Sequence, residues 1–148
     1  MRIVADANTV ISGLFFSGNE RRLLLAALRG VITLLFPEDV VDEVYVVVER
    51  TFRNHPDLAE ALLRLESVLA AGTLVARHDY IRDVPMWSRR LRDPDDTPVL
   101  ACAKATSADG IVSGDRDILE LRDARGIRIY RTRELLDLLG RPPEEEPA

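Results

Sequence analysis

Apolar residues fall in short blocks divided by polar, glycine and proline positions, and each block has a period. Arg2 to Ala5 is a short apolar run ended by the polar cluster Asp6-Ala7-Asn8-Thr9. Asn19 can cap a helix from Glu20 to Arg29, with Leu23, Leu24, Ala27 and Leu28 on its apolar face and Gly30 closing it. Val31 to Phe36 is continuously apolar, the pattern of a strand covered on both faces. Pro37 opens a helix running to Phe52, with Glu38 and Asp39 at its positive end. Its many valines make that helix weak by propensity alone.

The same alternation continues. Pro56-Asp57 starts a helix from Leu58 to about Ala71, closed by Gly72, and Thr73 to Ala76 reads as a strand. Arg77 to Arg92 reads as irregular. Pro98 sits in the first turn of a helix to Thr106, and Gly110-Ile111-Val112 is a short strand leading to Ser113-Gly114-Asp115. A short helix from Ile118 to Arg122, a strand from Ile127 to Tyr130, and a last helix capped by Thr132 and reaching Leu139 complete the set. Strands alternating with helices imply an α/β sandwich with a mainly parallel sheet. Ligands of such sheets bind outside the carboxyl ends of the strands, near the point where strand order reverses.

The chain has 148 residues, enough for one domain with a substantial core. We read residues 1–140 as that domain and 141–148 as a flexible acidic tail. Cys102 is the only cysteine, so no disulfide framework and no cysteine-based zinc site is expected, and the thiol reads as a small core group. The run Ile3 to Ala5 is too short for the apolar core of a signal peptide, and no segment has the roughly 20 apolar residues of a membrane span. A cytoplasmic protein is the expectation. The net charge of −5 opposes polyanion binding on its face, but a cluster of carboxylates filled by two divalent cations would bring it near zero.

Four acids carry the candidate chemistry. Asp6 and Asp115 follow two apolar runs, so in a parallel sheet both would stand at one edge. Glu43 lies about two turns into the helix after Pro37, and Asp96 immediately precedes the helix at Thr97-Pro98. Asp93 and Asp95 lie close to Asp96, and Asp117 follows Asp115 by two residues. Converging carboxylates oppose folding by mutual repulsion. A hard cation with oxygen ligands removes that cost, and two such ions about 4 Å apart would stabilise both oxygens of phosphodiester cleavage. Taken singly, Asp6 and Asp115 are equally well read as turn or cap residues, Glu43 as a solvated helix residue, and the Asp93–Asp96 run as a loop. Asn8 is either a turn former or an amide orienting Asp6, and Ser113 either a strand end or a hydroxyl near the metal. His55 and His78 lack ligand spacing. Trp87 reads as a packing residue, and Arg89, Arg90 and Arg92 as a solvated run that could alternatively face phosphate.

These segments together resemble the PIN-domain proteins, in particular the VapC-type toxins of toxin–antitoxin pairs. The matching stretches are Asp6-Ala7-Asn8-Thr9-Val10, Pro37 with Glu43, Asp93-Pro94-Asp95-Asp96 followed by Ala101 and Ala103, and Ser113-Gly114-Asp115-Arg116-Asp117. They occur in the family's order and cover the chain to about Leu139. The resemblance implies a three-layer α/β/α sandwich and Mg²⁺- or Mn²⁺-dependent hydrolysis of RNA phosphodiester bonds. It also implies inhibition by a cognate antitoxin, and a homodimer. It assigns catalytic and metal-binding roles to Asp6, Glu43, Asp96 and Asp115, with Asp117 as an adjunct, and makes Asn8 the polar residue near the first acid. One departure stands out: Ala7 replaces the Thr or Ser that usually follows the first Asp. Two other readings compete. A haloacid-dehalogenase-type phosphatase is suggested by a partial DxDxT likeness at Asp6-Ala7-Asn8-Thr9, although Asn8 replaces its second Asp and Lys104, the only lysine, falls in an apolar helix. A binding module that kept the fold without the chemistry is the other.

Overall fold

A computed structural model describes residues 1–88, 96–121 and 126–140. Five strands, β1 (Arg2–Ala5), β2 (Thr33–Pro37), β3 (Thr73–Val75), β4 (Gly110–Val112) and β5 (Arg128–Tyr130), form one sheet in the order β3-β2-β1-β4-β5. Every neighbouring pair is parallel. The chain builds outward from β1 through β2 to β3, then returns to β1's other side for β4. Strand order therefore reverses between β1 and β4. β1 is central and its Ile3, Val4 and Ala5 are fully buried, as a parallel strand covered on both faces should be.

Nine helices accompany the described strands: α1 (Ala7–Phe15), α2 (Asn19–Leu28), α3 (Glu38–Thr51), α4 (Leu58–Ala71), α5 (Arg77–Tyr80), α6 (Val84–Ser88), α7 (Thr97–Thr106), α8 (Arg116–Leu119) and α9 (Thr132–Leu139). α7 packs across β1, β2 and β4 and carries α5 and α6 on its outside. α1, α2 and α4 pack on one another, with α9 against α2. The result is the expected α/β/α sandwich, its sheet wholly parallel among the described strands.

Several boundaries differ from the sequence reading, each for a local reason. Of the two simple readings of Asp6, the cap holds: its Oδ1 accepts the Thr9 backbone N–H at 2.9 Å and starts α1, a helix the sequence pattern did not show. Seven of its nine residues are buried, so tertiary packing overrides the poor propensity of Val10, Ile11 and Gly13. Asn19 is the first residue of α2 and the cap position is Gly18. Gly30, at φ +78°, ends α2 in a Schellman turn: the Val31 N–H reaches Ala26 O at 2.9 Å and the Gly30 N–H reaches Ala27 O at 3.1 Å. That turn consumes Val31, and β2 starts only at Thr33. Pro37 ends β2 and, as expected, opens α3 from the cap position. The stretch expected to be irregular is helical through Ser88, held by fully buried Tyr80 and Trp87. α8 starts at Arg116, two residues before the expected Ile118. Arg131, not Thr132, holds the cap position of α9, and its backbone N–H donates to Glu134 Oε1 at 2.8 Å. Asp93, Asp95, the Arg89–Arg92 run and the 141–148 tail lie outside the described residues.

Gly72 joins α4 to β3 under a close approach that only glycine permits. A Cβ there would stand 2.5 Å from the Leu34 carbonyl oxygen and 2.6 Å from the Phe36 ring. Both neighbours belong to β2, so neither can yield without moving the sheet. Gly72→Ala should lower unfolding free energy by about 1–3 kcal/mol in urea titrations. An unchanged midpoint would show that the α4–β3 corner opens freely.

Candidate metal centre

β1 and β4 are hydrogen-bonded neighbours with Ala5 opposite Val112, so the next residues, Asp6 and Ser113, emerge side by side from the carboxyl edge. The Asp6 N–H continues the ladder to Val112 O at 3.4 Å, and the Ser113 N–H does so to Tyr130 O at 3.0 Å. Asp6 is 6% exposed and Ser113 is fully buried. The Ser113 hydroxyl donates to Asp6 Oδ2 and accepts the Asp115 N–H at 3.0 Å. One hydroxyl thus ties the first acid to the backbone of the fourth.

Asp115 caps α8: its Oδ1 accepts the N–H groups of Asp117 at 2.8 Å and Ile118 at 3.3 Å. Asp96 occupies the N-cap position of α7 without a capping hydrogen bond from its side chain. Carboxylate oxygens of Asp96, Asp115 and Asp117 all lie within 4.8 Å of one another. Three partly buried carboxylates at this spacing form an all-oxygen donor set, which suits hard divalent cations such as Mg²⁺ and Mn²⁺ and does not suit soft metals. Asp6 stands beside this trio through Ser113. Glu43 does not join it: its side chain is exposed on α3, which leaves the carboxyl end of β2 at the same edge of the sheet.

Burial is the largest influence on Asp6 and pushes its carboxyl above the ordinary value of 3.8. The hydrogen bonds from Ser113 and Thr9 pull it down, while the nearby Asp115 charge pushes it further up. Cys102, by contrast, is a fully buried thiol pushed up to about 12 by burial, which suits a core group. Trp87 is likewise fully buried in the core. Lys104, which a dehalogenase-type phosphatase would need at its nucleophile, pairs with Asp83 Oδ1 at 3.5 Å. Ala7 is buried at the start of α1, so the hydroxyl usual at that position is absent here, and Ser113 provides the hydroxyl bound to Asp6.

An open cleft of about 470 Å³ adjoins the trio and shares Asp115 with it. Asn8 and Ser12 line it one helical turn apart on α1, with Glu20 from α2 and Arg116 from α8. Ser12, Glu20 and Arg116 escaped the sequence reading. The i, i+4 spacing of Asn8 and Ser12 was the available signal, legible only once α1 is known to be a helix.

Two expectations follow from this geometry. A carboxyl whose pKa is raised on folding binds its proton more tightly in the folded state, so ionised Asp6 costs stability. That cost is complete above the raised folded value and vanishes below 3.8. Without metal, Asp6→Asn should therefore melt above the wild type at pH 7, and the gap should close on acidification toward pH 4. A gap independent of pH would show that Asp6 is not strained. Ser113→Ala leaves a buried carboxylate oxygen and an amide unserved, and should cost about 1–3 kcal/mol by denaturant titration. A loss of a few tenths would mean that the hydroxyl is dispensable.

Comparison with known proteins agrees with the fold. A chain in the crystal structure of VapBC2 from Rickettsia felis, bound to a DNA fragment from their promoter, superposes with a TM-score of 0.64 at 11% sequence identity. The match covers 88% of this chain and 98% of that one, and at this identity it concerns the fold. No curated protein matches. Residues 2–117 match the PIN domain family, a span that holds β1 to β4 and all the acids discussed. The chain belongs to the PIN-domain family.

Proposed function

We propose that this chain is a Mg²⁺- or Mn²⁺-dependent endoribonuclease that hydrolyses RNA phosphodiester bonds, and that it is the toxin of a toxin–antitoxin pair. The observation that carries the reading is the meeting of Asp96, Asp115 and Asp117 within 4.8 Å, beside the buried Asp6, at the β1/β4 switch point. Asp6 and Asp115 also cap helices, but capping does not require four carboxylates from three parts of the chain to meet, and a cation would repay their repulsion.

In this reading Asp6, Glu43, Asp96 and Asp115 are the catalytic acids and Asp117 is a further ligand. A bound Mg²⁺ or Mn²⁺ would supply the positive charge that stabilises the attacking and leaving oxygens of the phosphodiester. The protein's part is to hold its acids in place beforehand. Ser113 and the Thr9 N–H fix both oxygens of Asp6. The amides of Asp117 and Ile118 fix Asp115. Asn8 faces the adjoining cleft, where an RNA strand would lie, and Glu43 would contribute from α3. Residues 1–140 form the nuclease domain in this reading, with 141–148 as a tail.

The toxin role rests on the PIN-domain family and on the fold shared with a chain of a VapBC2 complex. It carries with it a cognate antitoxin as partner and a homodimer. No helix among the described residues is long and apolar enough to cross a membrane. A cytoplasmic site of action is part of the same proposal.

The test is cleavage of a labelled RNA with Mg²⁺ or Mn²⁺, with and without EDTA, for the wild type and Asp96→Asn. Activity should vanish with EDTA and fall by about two orders of magnitude or more in the variant, some 3 kcal/mol of transition-state stabilisation. Either metal should also raise the melting temperature of the wild type. Equal, EDTA-insensitive cleavage by both proteins would remove the claim. Metal binding without cleavage would leave a binding module on a PIN fold.

A further inference from the structure

Arg116 directly follows Asp115, and its side chain lines two clefts at once. One is the cleft of Asn8 and Asp115. The other, of about 420 Å³, is shared with Arg131. Gly114 also borders both, and a Cβ built there would meet nothing within 4 Å, so the passage between the clefts is open. Arg131 emerges from β5, the strand next to β4, so both arginines stand at the same sheet edge as the acids.

Both side chains are exposed, and among the described residues neither guanidinium forms an ion pair. Glu120 borders the same cleft, and the Glu134 carboxylate is engaged by the Arg131 backbone N–H. Arg77 shows the alternative: its guanidinium is bound to Glu38, Asp39 and Asp42. Two unneutralised guanidinium groups on the rim of an acidic centre are placed for an anion from outside. A phosphate diester suits them, because the planar fork of arginine donates in pairs to phosphate oxygens.

We propose that Arg116 and Arg131 form a subsite for a non-scissile phosphate of the RNA strand, next to the phosphate held at the acidic centre. The proposal rests on the nuclease reading and gives the strand its path, from the Asn8 cleft across Asp115 and Gly114 to Arg131. The acids and their cation take the phosphate to be cut. The arginines take a neighbouring one and set where the strand lies relative to the cut.

The test is a phosphate scan on the full-length protein. A short single-stranded RNA carries one uncharged methylphosphonate at successive positions around the cleaved bond. Binding is measured for the wild type and for Arg116→Gln/Arg131→Gln, with melting curves to confirm that the variant is folded. The wild type should lose about tenfold in affinity when one flanking phosphate is neutralised. The variant should bind the unmodified RNA about tenfold more weakly, be indifferent to that same substitution, and show a salt slope shallower by about 0.7. Its KM should rise more than its kcat falls, and Arg116→Lys/Arg131→Lys should recover part of the affinity. A variant whose phosphate scan matches the wild type overturns the subsite, even if metal-dependent cleavage is intact. An arginine-dependent phosphate footprint without metal-dependent cleavage keeps the subsite and removes the nuclease reading.

Discussion

The structure turns on one buried carboxylate. Asp6 is nearly enclosed, charged side chains are costly in such places, and its burial follows from β1 lying at the middle of the sheet. The fold accommodates it with two hydrogen bonds that only this topology supplies. Thr9 donates because α1 begins immediately after β1, and Ser113 donates because β4 returns beside β1. The same serine accepts from the Asp115 backbone, so the strand pairing that builds the core also sets the distance between the first and fourth acids. Core and site share one set of backbone bonds.

That coupling explains what was legible in the sequence. Strand tips are easy to find, because continuous apolar runs ending in an acid mark them without knowledge of the partner strand. Asp6 and Asp115 were visible for that reason, and Asp96 because a carboxylate before Thr97-Pro98 marks a helix start. The switch point followed from alternation alone. Helix α1 was not legible: its residues are buried nearly all round, so it has no polar face to impose a period, and the β-branched run Thr9-Val10-Ile11 with Gly13 argues against a helix. Losing α1 also hid the cleft, since Asn8 and Ser12 become neighbours only on a helix. A helical count also places Glu43 at this edge, where it stands exposed on α3, and its part in the site belongs to the proposed function.

Arg77 fastens α5 to the first two turns of α3, binding Glu38, Asp39 and Asp42, while its backbone N–H reaches Glu38 Oε1 at 2.8 Å. Tyr80 completes the joint, donating to Asp39 Oδ2 at 2.8 Å and accepting the Asp39 N–H at 3.0 Å. These contacts use carboxylates of the chain to fix the chain. Exposed pairs of this kind contribute little each, but a network of several fixes orientation. Arg21 and Arg64 behave similarly, reaching the carbonyls of Gly13 and Leu14 at the end of α1.

Among the described residues Arg116 and Arg131 form no ion pair, and both border the clefts beside the acids. A site of clustered acids attracts cations, and the chain's own arginines could have answered that demand by folding over Asp115. Had they done so, the acids would be neutralised internally and no external cation would be needed. Instead the guanidinium groups border the two clefts that meet at Gly114, Arg116 beside Asp115 and Glu20 in one, and Arg116 and Arg131 beside Glu120 in the other. Under the proposed function, a cation held by the acids and a phosphate held by the arginines would act together, the metal drawing the strand to Asp115 and the arginines setting where it lies.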